Sequence, residues 1–110
     1  MLILEVVEIQ TFIRQAEKIF SDEELDSLRV YLAYNPNAGS FMRGTRGIHK
    51  LRWQASNHGK RGDARVIYFY YNDDTPIYLL SSYTKKMRDD ISADEKKVLE
   101  RLVDEIREDC

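Results

Sequence analysis

Apolar positions recur at helical spacing in the first third of the chain and at strand spacing afterwards. Residues 2–7 are aliphatic and β-branched and predict a first strand. Ile9, Phe12, Ile13, Ala16, Ile19 and Phe20 then repeat every three to four positions, the period of a helix that buries one side. Ser21 followed by Glu24 is a capping box, which predicts a second helix from about Asp22 with Leu25, Leu28, Tyr31 and Leu32 facing inward. Asn35, Pro36 and Gly39 end it, because proline cannot continue the hydrogen-bond ladder and Asn and Gly favour turns.

Beyond Gly39 the period becomes two. Ile48, Lys50 and Arg52 alternate with His49, Leu51 and Trp53, which predicts a strand with one wet and one packed face. Residues 64–71 are the strongest strand signal, residues 72–76 a turn, and residues 77–83 the next strand. Three sequential strands of this kind predict an antiparallel meander. Ser92 and Glu95 form another capping box and open a last helix with Val98, Leu99, Leu102, Val103 and Ile106 on one face. The order β-α-α-β-β-β-α predicts an α+β fold: a small, antiparallel-rich sheet with two N-terminal helices and a C-terminal helix packed on one face.

A length of 110 residues predicts a single domain, residues 1–110, and a hydrophobic share of 43% supplies one modest core. No run reaches the ~20 apolar residues of a membrane span, so no membrane partner is expected. The opening residues have no cationic region and no small-residue cleavage site, which predicts a chain without a secretory signal. Cys110 is the single cysteine; it cannot form an internal disulfide, and a lone thiol suits the cytoplasm.

Charge changes the picture more than composition does. The net charge is −2, yet residues 43–88 carry ten cations (Arg43, Arg46, Lys50, Arg52, Lys60, Arg61, Arg65, Lys85, Lys86, Arg88) against Asp63, Asp73 and Asp74. A cationic surface set against an anionic one is the electrostatic footprint of a phosphate-backbone partner.

Candidate chemistry is narrow. Two histidines and a terminal cysteine give no metal-ligand spacing, the five glycines match neither phosphate-binding fingerprint, and Asp73-Asp74 reads as a turn, so no metal and no cofactor is expected. In a meander the start of the strand at Arg65 lies beside the finish of the strand at Tyr83. That gathers Lys60, Arg65, Tyr83, Lys85 and Lys86 at one end of the sheet, with Lys50 and Arg52 on a shared strand face. Such a cluster suits cleavage of RNA by its own 2′-hydroxyl: Arg neutralises the phosphorane, and Lys or Tyr relays protons. The same pattern also suits plain solvated strand edges, which carry Lys and Arg against aggregation. His58 reads as a loop residue and His49 as partly buried with Trp53. Tyr68, Phe69, Tyr70, Tyr71 and Tyr78 read as core or flank more readily than as base-stacking platforms.

Asn35-Pro36-x-x-Gly39, Arg43-Gly44-Thr45-x-Gly47-Ile48-x-Lys50-Leu51-Arg52-Trp53, Gly59-Lys60-Arg61-Gly62-x-Ala64-Arg65-Val66-Ile67-Tyr68 and Tyr78-Leu79-Leu80 with Tyr83-x-Lys85-Lys86 together resemble the RelE/HigB superfamily of bacterial toxins, HigB-type branch. The resemblance runs from about residue 2 to residue 107. It implies a ribosome-dependent mRNA endonuclease neutralised by a cognate antitoxin, with ribosome and mRNA as further partners. It implies that Arg65 stabilises the phosphate, that Lys60 contacts substrate from its loop, and that Tyr83, Lys85 and Lys86 complete the catalytic region. Lys50, Arg52, Arg61, Arg43, Arg46 and Arg88 are the expected RNA-backbone contacts. Two departures stand out: the chain is not basic overall, and Lys85-Lys86 replace the arginine and tyrosine of other branches, leaving general acid and base unassigned. The rival readings are a non-enzymatic relative that inhibits a protein target such as DNA gyrase, as the ParE branch does, and an inactive RNA-binding module.

Overall fold

The computed structural model describes residues 3–56, 62–87 and 89–108. Elements follow in the order β1 (Val6–Glu8), α1 (Gln10–Ile19), α2 (Asp22–Tyr34), β2 (Ser40–Phe41), β3 (Ile48–Ala55), β4 (Gly62–Phe69), β5 (Ile77–Thr84) and α3 (Ala93–Glu108). This is an α+β fold. The five strands form one sheet in the order β1-β5-β4-β3-β2, parallel only between β1 and β5. Among the described residues no helix is long and apolar enough to cross a membrane.

The helix boundaries have local causes. Ser21 Oγ accepts the Glu24 N–H at 3.2 Å, and Glu24 Oε1 accepts the Ser21 N–H at 2.9 Å. Two amides that the first turn of α2 leaves unpaired are satisfied reciprocally. Glu24 also accepts from the Ser56 N–H and hydroxyl, and Trp53 Nε1–H donates to the Glu24 carbonyl, so the start of α2 is tied to the end of β3. The hydrogen bonds from Ser21 and Ser56 outweigh the opposing effect of burial and hold the Glu24 carboxyl below its ordinary pKa.

The sheet is packed on both faces, which corrects the expectation of helices on one face. Phe12, Ala16 and Ile19 of α1 and Leu25, Leu28 and Leu32 of α2 close over Ala64, Val66, Tyr68, Ile77 and Leu79. Leu99 and Val103 of α3 close over the other face, against Ile48, Ile67, Phe69, Leu80 and Tyr83. Alternation along a strand gives two faces but does not say which is covered. The side of β3 expected to be wet is therefore buried at Ile48, intermediate at Lys50 and exposed at Arg52. The uncovered part is the end of the sheet that α3 does not reach.

Two further corrections concern the chain ends of the sheet. Among the described residues the first strand begins only at Val6 and residues 3–5 lie outside it, because the Leu4 N–H donates to the Ala33 carbonyl at 3.1 Å and ties that residue to the last turn of α2. The short β2 was not expected; Ser40 and Phe41 pair with Lys50 and His49. Gly47 turns the chain into β3 at φ 128°, a conformation L side chains rarely adopt.

Candidate nucleic-acid interface

The β3–β4–β5 ladder places Arg52, Arg65 and Tyr83 in one row, with Arg52 opposite Arg65 and Arg65 opposite Tyr83. Lys50, Ile67 and Ser81 make the next row. Directly opposed residues point to the same face, and their Cβ atoms stand about 4.5–5.5 Å apart. Lys50, Arg52, Arg65 and Tyr83 therefore share the α3 face of the sheet; Tyr83 is buried in the core under α3, Arg65 is buried beside it, Lys50 is half-buried and Arg52 is exposed.

Tyr83 reaches that face because of a β-bulge. The register passes from Tyr68 opposite Leu79 to Ile67 opposite Ser81, which leaves Leu80 without a counterpart. Before the bulge Tyr78 and Leu80 point toward α3; an unbroken strand would then have put Ser82 there and turned Tyr83 toward α1. The extra residue shifts the parity and re-aims the phenol. The Gln15 side-chain carbonyl of α1 accepts the Ser82 N–H at 2.9 Å just beyond the bulge.

Arg65 is buried, with 9% of its surface accessible, and its Nη1 has no hydrogen-bond partner. Among the described residues no carboxylate lies within 4.0 Å of Arg65 or Arg52. Like charges directly opposite one another destabilise a sheet, and a buried charge without a counterion costs several kcal/mol. An anion between the two guanidinium groups would relieve both costs.

Asp90 is a candidate site residue that the sequence did not flag. Its Oδ1 accepts from the Tyr83 hydroxyl at 3.0 Å and the Ile91 N–H at 2.8 Å, and lies 3.5 Å from Lys50 Nζ. Burial acts to raise its pKa. The Ile91 and Tyr83 hydrogen bonds and the Lys50 charge outweigh burial and hold the carboxyl below its ordinary value. The signal was faint: Asp90 falls just outside the cationic segment, in a stretch that reads as a charged connection. Only the return of the chain after β5 brings it back over Tyr83.

The remaining candidates separate. Lys85 and Lys86 leave β5 after Thr84, which pairs with Ala64, so they stand exposed at the Arg65 end. Arg43 and Arg46 precede Ile48 and belong to the opposite end of β3, where Arg46 pairs with Asp104 of α3 at 3.5 Å. A cavity of about 740 Å³ lies at that far end, lined by Arg46, Phe69, Tyr71, Asp104 and Arg107 among others, away from the Arg52–Arg65 row. Lys60, Arg61, Arg88 and His58 lie outside the described residues, as does Cys110.

His49 is buried on the opposite face, stacked on Tyr68 with ring centroids 5.1 Å apart. Its Nδ1–H donates to the Gly47 carbonyl at 2.8 Å, and burial pushes its pKa down, so the neutral ring is structural. Tyr68 and Phe69 are core residues, and Tyr71 lies beneath the Arg107 guanidinium, 4.3 Å from its ring centroid. The described aromatic residues of β4 thus form no open platform beside Arg65.

The α3 face gathers donors of the kind that recognise a phosphoryl group: an exposed and a buried guanidinium, an ammonium beside them, and an exposed carboxylate bonded to a buried phenol. No family model matches the chain.

Proposed function

We propose that the chain is a toxin of the RelE/HigB type, an endoribonuclease that cuts mRNA on the translating ribosome and is held inactive by a cognate antitoxin. The observation that carries this reading is Arg65: a buried guanidinium whose Nη1 has no partner, facing Arg52, with no carboxylate among the described residues within 4.0 Å. Structural arginines are paired when buried, so one without a counterion among the described residues fits an anionic ligand. Ribosomes and mRNA place the activity in the cytoplasm.

The chemistry is attack of a 2′-hydroxyl on the adjacent phosphorus. The 2′-O–P bond forms, the P–O5′ bond breaks, and the products are a 2′,3′-cyclic phosphate and a 5′-hydroxyl. Arg65 and Arg52 hold the non-bridging oxygens as charge builds on them, the step where fixed donors contribute most. Asp90, ionised and steadied by Tyr83, accepts the 2′-hydroxyl proton; Lys85 or Lys86 returns a proton to the leaving 5′-oxygen. Lys60, expected in the catalytic set, and Arg61 and Arg88, expected as backbone contacts, lie outside the described residues and enter this reading from the sequence alone. The ribosome supplies the alignment of the 2′-hydroxyl that a small basic face lacks.

The test is purified protein with translating ribosomes, followed by mapping of mRNA 5′ ends. Codon-linked cuts with cyclic phosphate ends are expected, and Arg65→Ala should lower the rate about a hundredfold or more. An unimpaired Arg65→Ala protein overturns the assigned role. DNA damage without transcript cuts favours a gyrase inhibitor, and neither outcome favours an inactive RNA-binding module.

A further inference from the structure

The outer edge of β3 is only partly paired. β2 covers it at His49 and Lys50, and among the described residues no strand pairs with it from Leu51 to Ala55. The direction of its main-chain groups follows from the part that is paired. The Met42 N–H donates to the Ile48 carbonyl at 2.8 Å, so Ile48 and, by the two-residue period, Lys50, Arg52 and Gln54 turn their N–H and C=O groups outward. Arg52 and Gln54 therefore present unpaired donors and acceptors to solvent, the template that an added strand uses.

Beside this edge runs a groove between β3 and α2. Its apolar part is lined by Val30, Tyr31, Tyr34 and Trp53, and Tyr31 packs on Trp53 with ring centroids 5.2 Å apart. Val30, Tyr31 and Tyr34 expose 58%, 41% and 44% of their surfaces, an apolar load on the outer side of a helix whose other side is already buried. At the Ser56 end the charged lining is Glu23, Glu24 and Asp63 against Arg52. An open edge, an aromatic groove on one side of it and carboxylates at one end describe one occupant.

We propose that this edge binds an extended segment of a partner protein by antiparallel strand addition, the direction in which β2 already pairs. Alternate apolar side chains of the segment enter the Val30–Tyr34–Trp53 groove, and a basic residue at its N-terminal end meets Glu23, Glu24 and Asp63. This surface does not depend on the nuclease reading.

The test uses a blocked nine-residue peptide with valine at three alternate positions, threonine between them and lysine at the N-terminal end. Trp53 is the chain's single tryptophan, so its fluorescence reports occupancy. In antiparallel pairing the peptide residues opposite Arg52 and Gln54 are the threonines. N-methylation of the threonines should weaken binding about tenfold or more, while N-methylation of the valines should leave it within about threefold. Amide exchange at Arg52 and Gln54 should slow in the complex, and Tyr34→Glu should weaken binding at least about fivefold. No binding at about 1 mM peptide, or equal loss from both methylation patterns, overturns the proposal. A free chain that sediments as a dimer with Arg52 and Gln54 already protected also overturns it, because the occupant would then be a second copy.

Discussion

Arg52 and Arg65 stand directly opposite one another across the β3–β4 ladder, and no carboxylate among the described residues lies within 4.0 Å of either. Selection for stability alone would favour an apolar residue at the buried position. Arg65→Met keeps the stem and removes the unpaired charge, so it should raise the unfolding free energy by roughly 1–3 kcal/mol in urea denaturation. Cleavage on translating ribosomes should fall about a hundredfold in the same protein. A variant that gains neither stability nor loses activity would show that Arg65 is neutralised by other means.

An anion that fills the gap between these two groups should bind the folded state and not the unfolded chain. Adding a short single-stranded RNA should therefore raise Tm, by an amount that grows with RNA concentration and shrinks with salt. Arg52→Gln should reduce the slope of log affinity against log salt by about one phosphate contact. A Tm indifferent to RNA at low salt would remove the electrostatic basis of the interface.

Local signals carried far in this chain because each was self-contained. Ser21 with Glu24 and Ser92 with Glu95 are satisfied within one turn, and both mark helix starts in the structure. The strand through Ile48–Trp53 and the pairing of Arg65 with Tyr83 followed from alternation and meander order. What failed was non-local. The sequence could not show that α3 crosses to the opposite face, since Leu99 and Val103 would suit either. Nor could it show the bulge at Leu80, which decides the face of Tyr83. Asp90 joins the site through tertiary contacts to Lys50 and Tyr83 alone.

Asp90 links Tyr83 and Lys50 as an ionised group, so its contribution depends on pH. Its folded pKa is held below the ordinary 3.8. The unfolded chain thus takes up a proton first as pH falls. The stabilisation is complete above about 3.8 and is lost as pH drops through the depressed folded value. Asp90→Asn should be less stable than the parent at pH 7 by under about 1 kcal/mol, because the side chain is 56% exposed and solvent screens the pair. The difference should vanish in strong acid. Cleavage should drop more than stability, and its dependence on Asp90 is read from the pH–rate profile of the variant.

Gln15 is a candidate for control of Tyr83 from the far side of the sheet. Its carbonyl takes the Ser82 N–H at 2.9 Å, a donor the bulge directs at α1. Gln15→Leu leaves that donor without a partner, a loss of about 1–3 kcal/mol. Restoring a regular strand would satisfy it only by turning Tyr83 away from Arg65. Expected outcomes are a lower urea midpoint and a chemical-shift change at Tyr83 that Gln15→Glu, which keeps an acceptor, does not produce.

Tyr68 gives the sharpest pH test of the fold. It is fully buried in β4, its hydroxyl donates to the Pro36 carbonyl at 2.8 Å and accepts the Gly39 N–H at 2.9 Å, and it thereby pins the segment between α2 and β2. Burial pushes its pKa up from 10.0 to about 12. In the unfolded chain the phenol ionises near 10, while the folded chain keeps its proton, so the folded state binds more protons in this window. Stability should be constant with respect to this group below about pH 10 and then fall by roughly 2–3 kcal/mol by pH 12. Tyr68→Phe removes the titration and should flatten that part of the profile. It also strands the Gly39 N–H, so at pH 7 it should be less stable by about 1–3 kcal/mol. The two stability curves, measured by urea denaturation at each pH, should therefore converge above pH 10. Parallel curves would mean that Tyr68 ionises in the folded state as readily as in the unfolded chain.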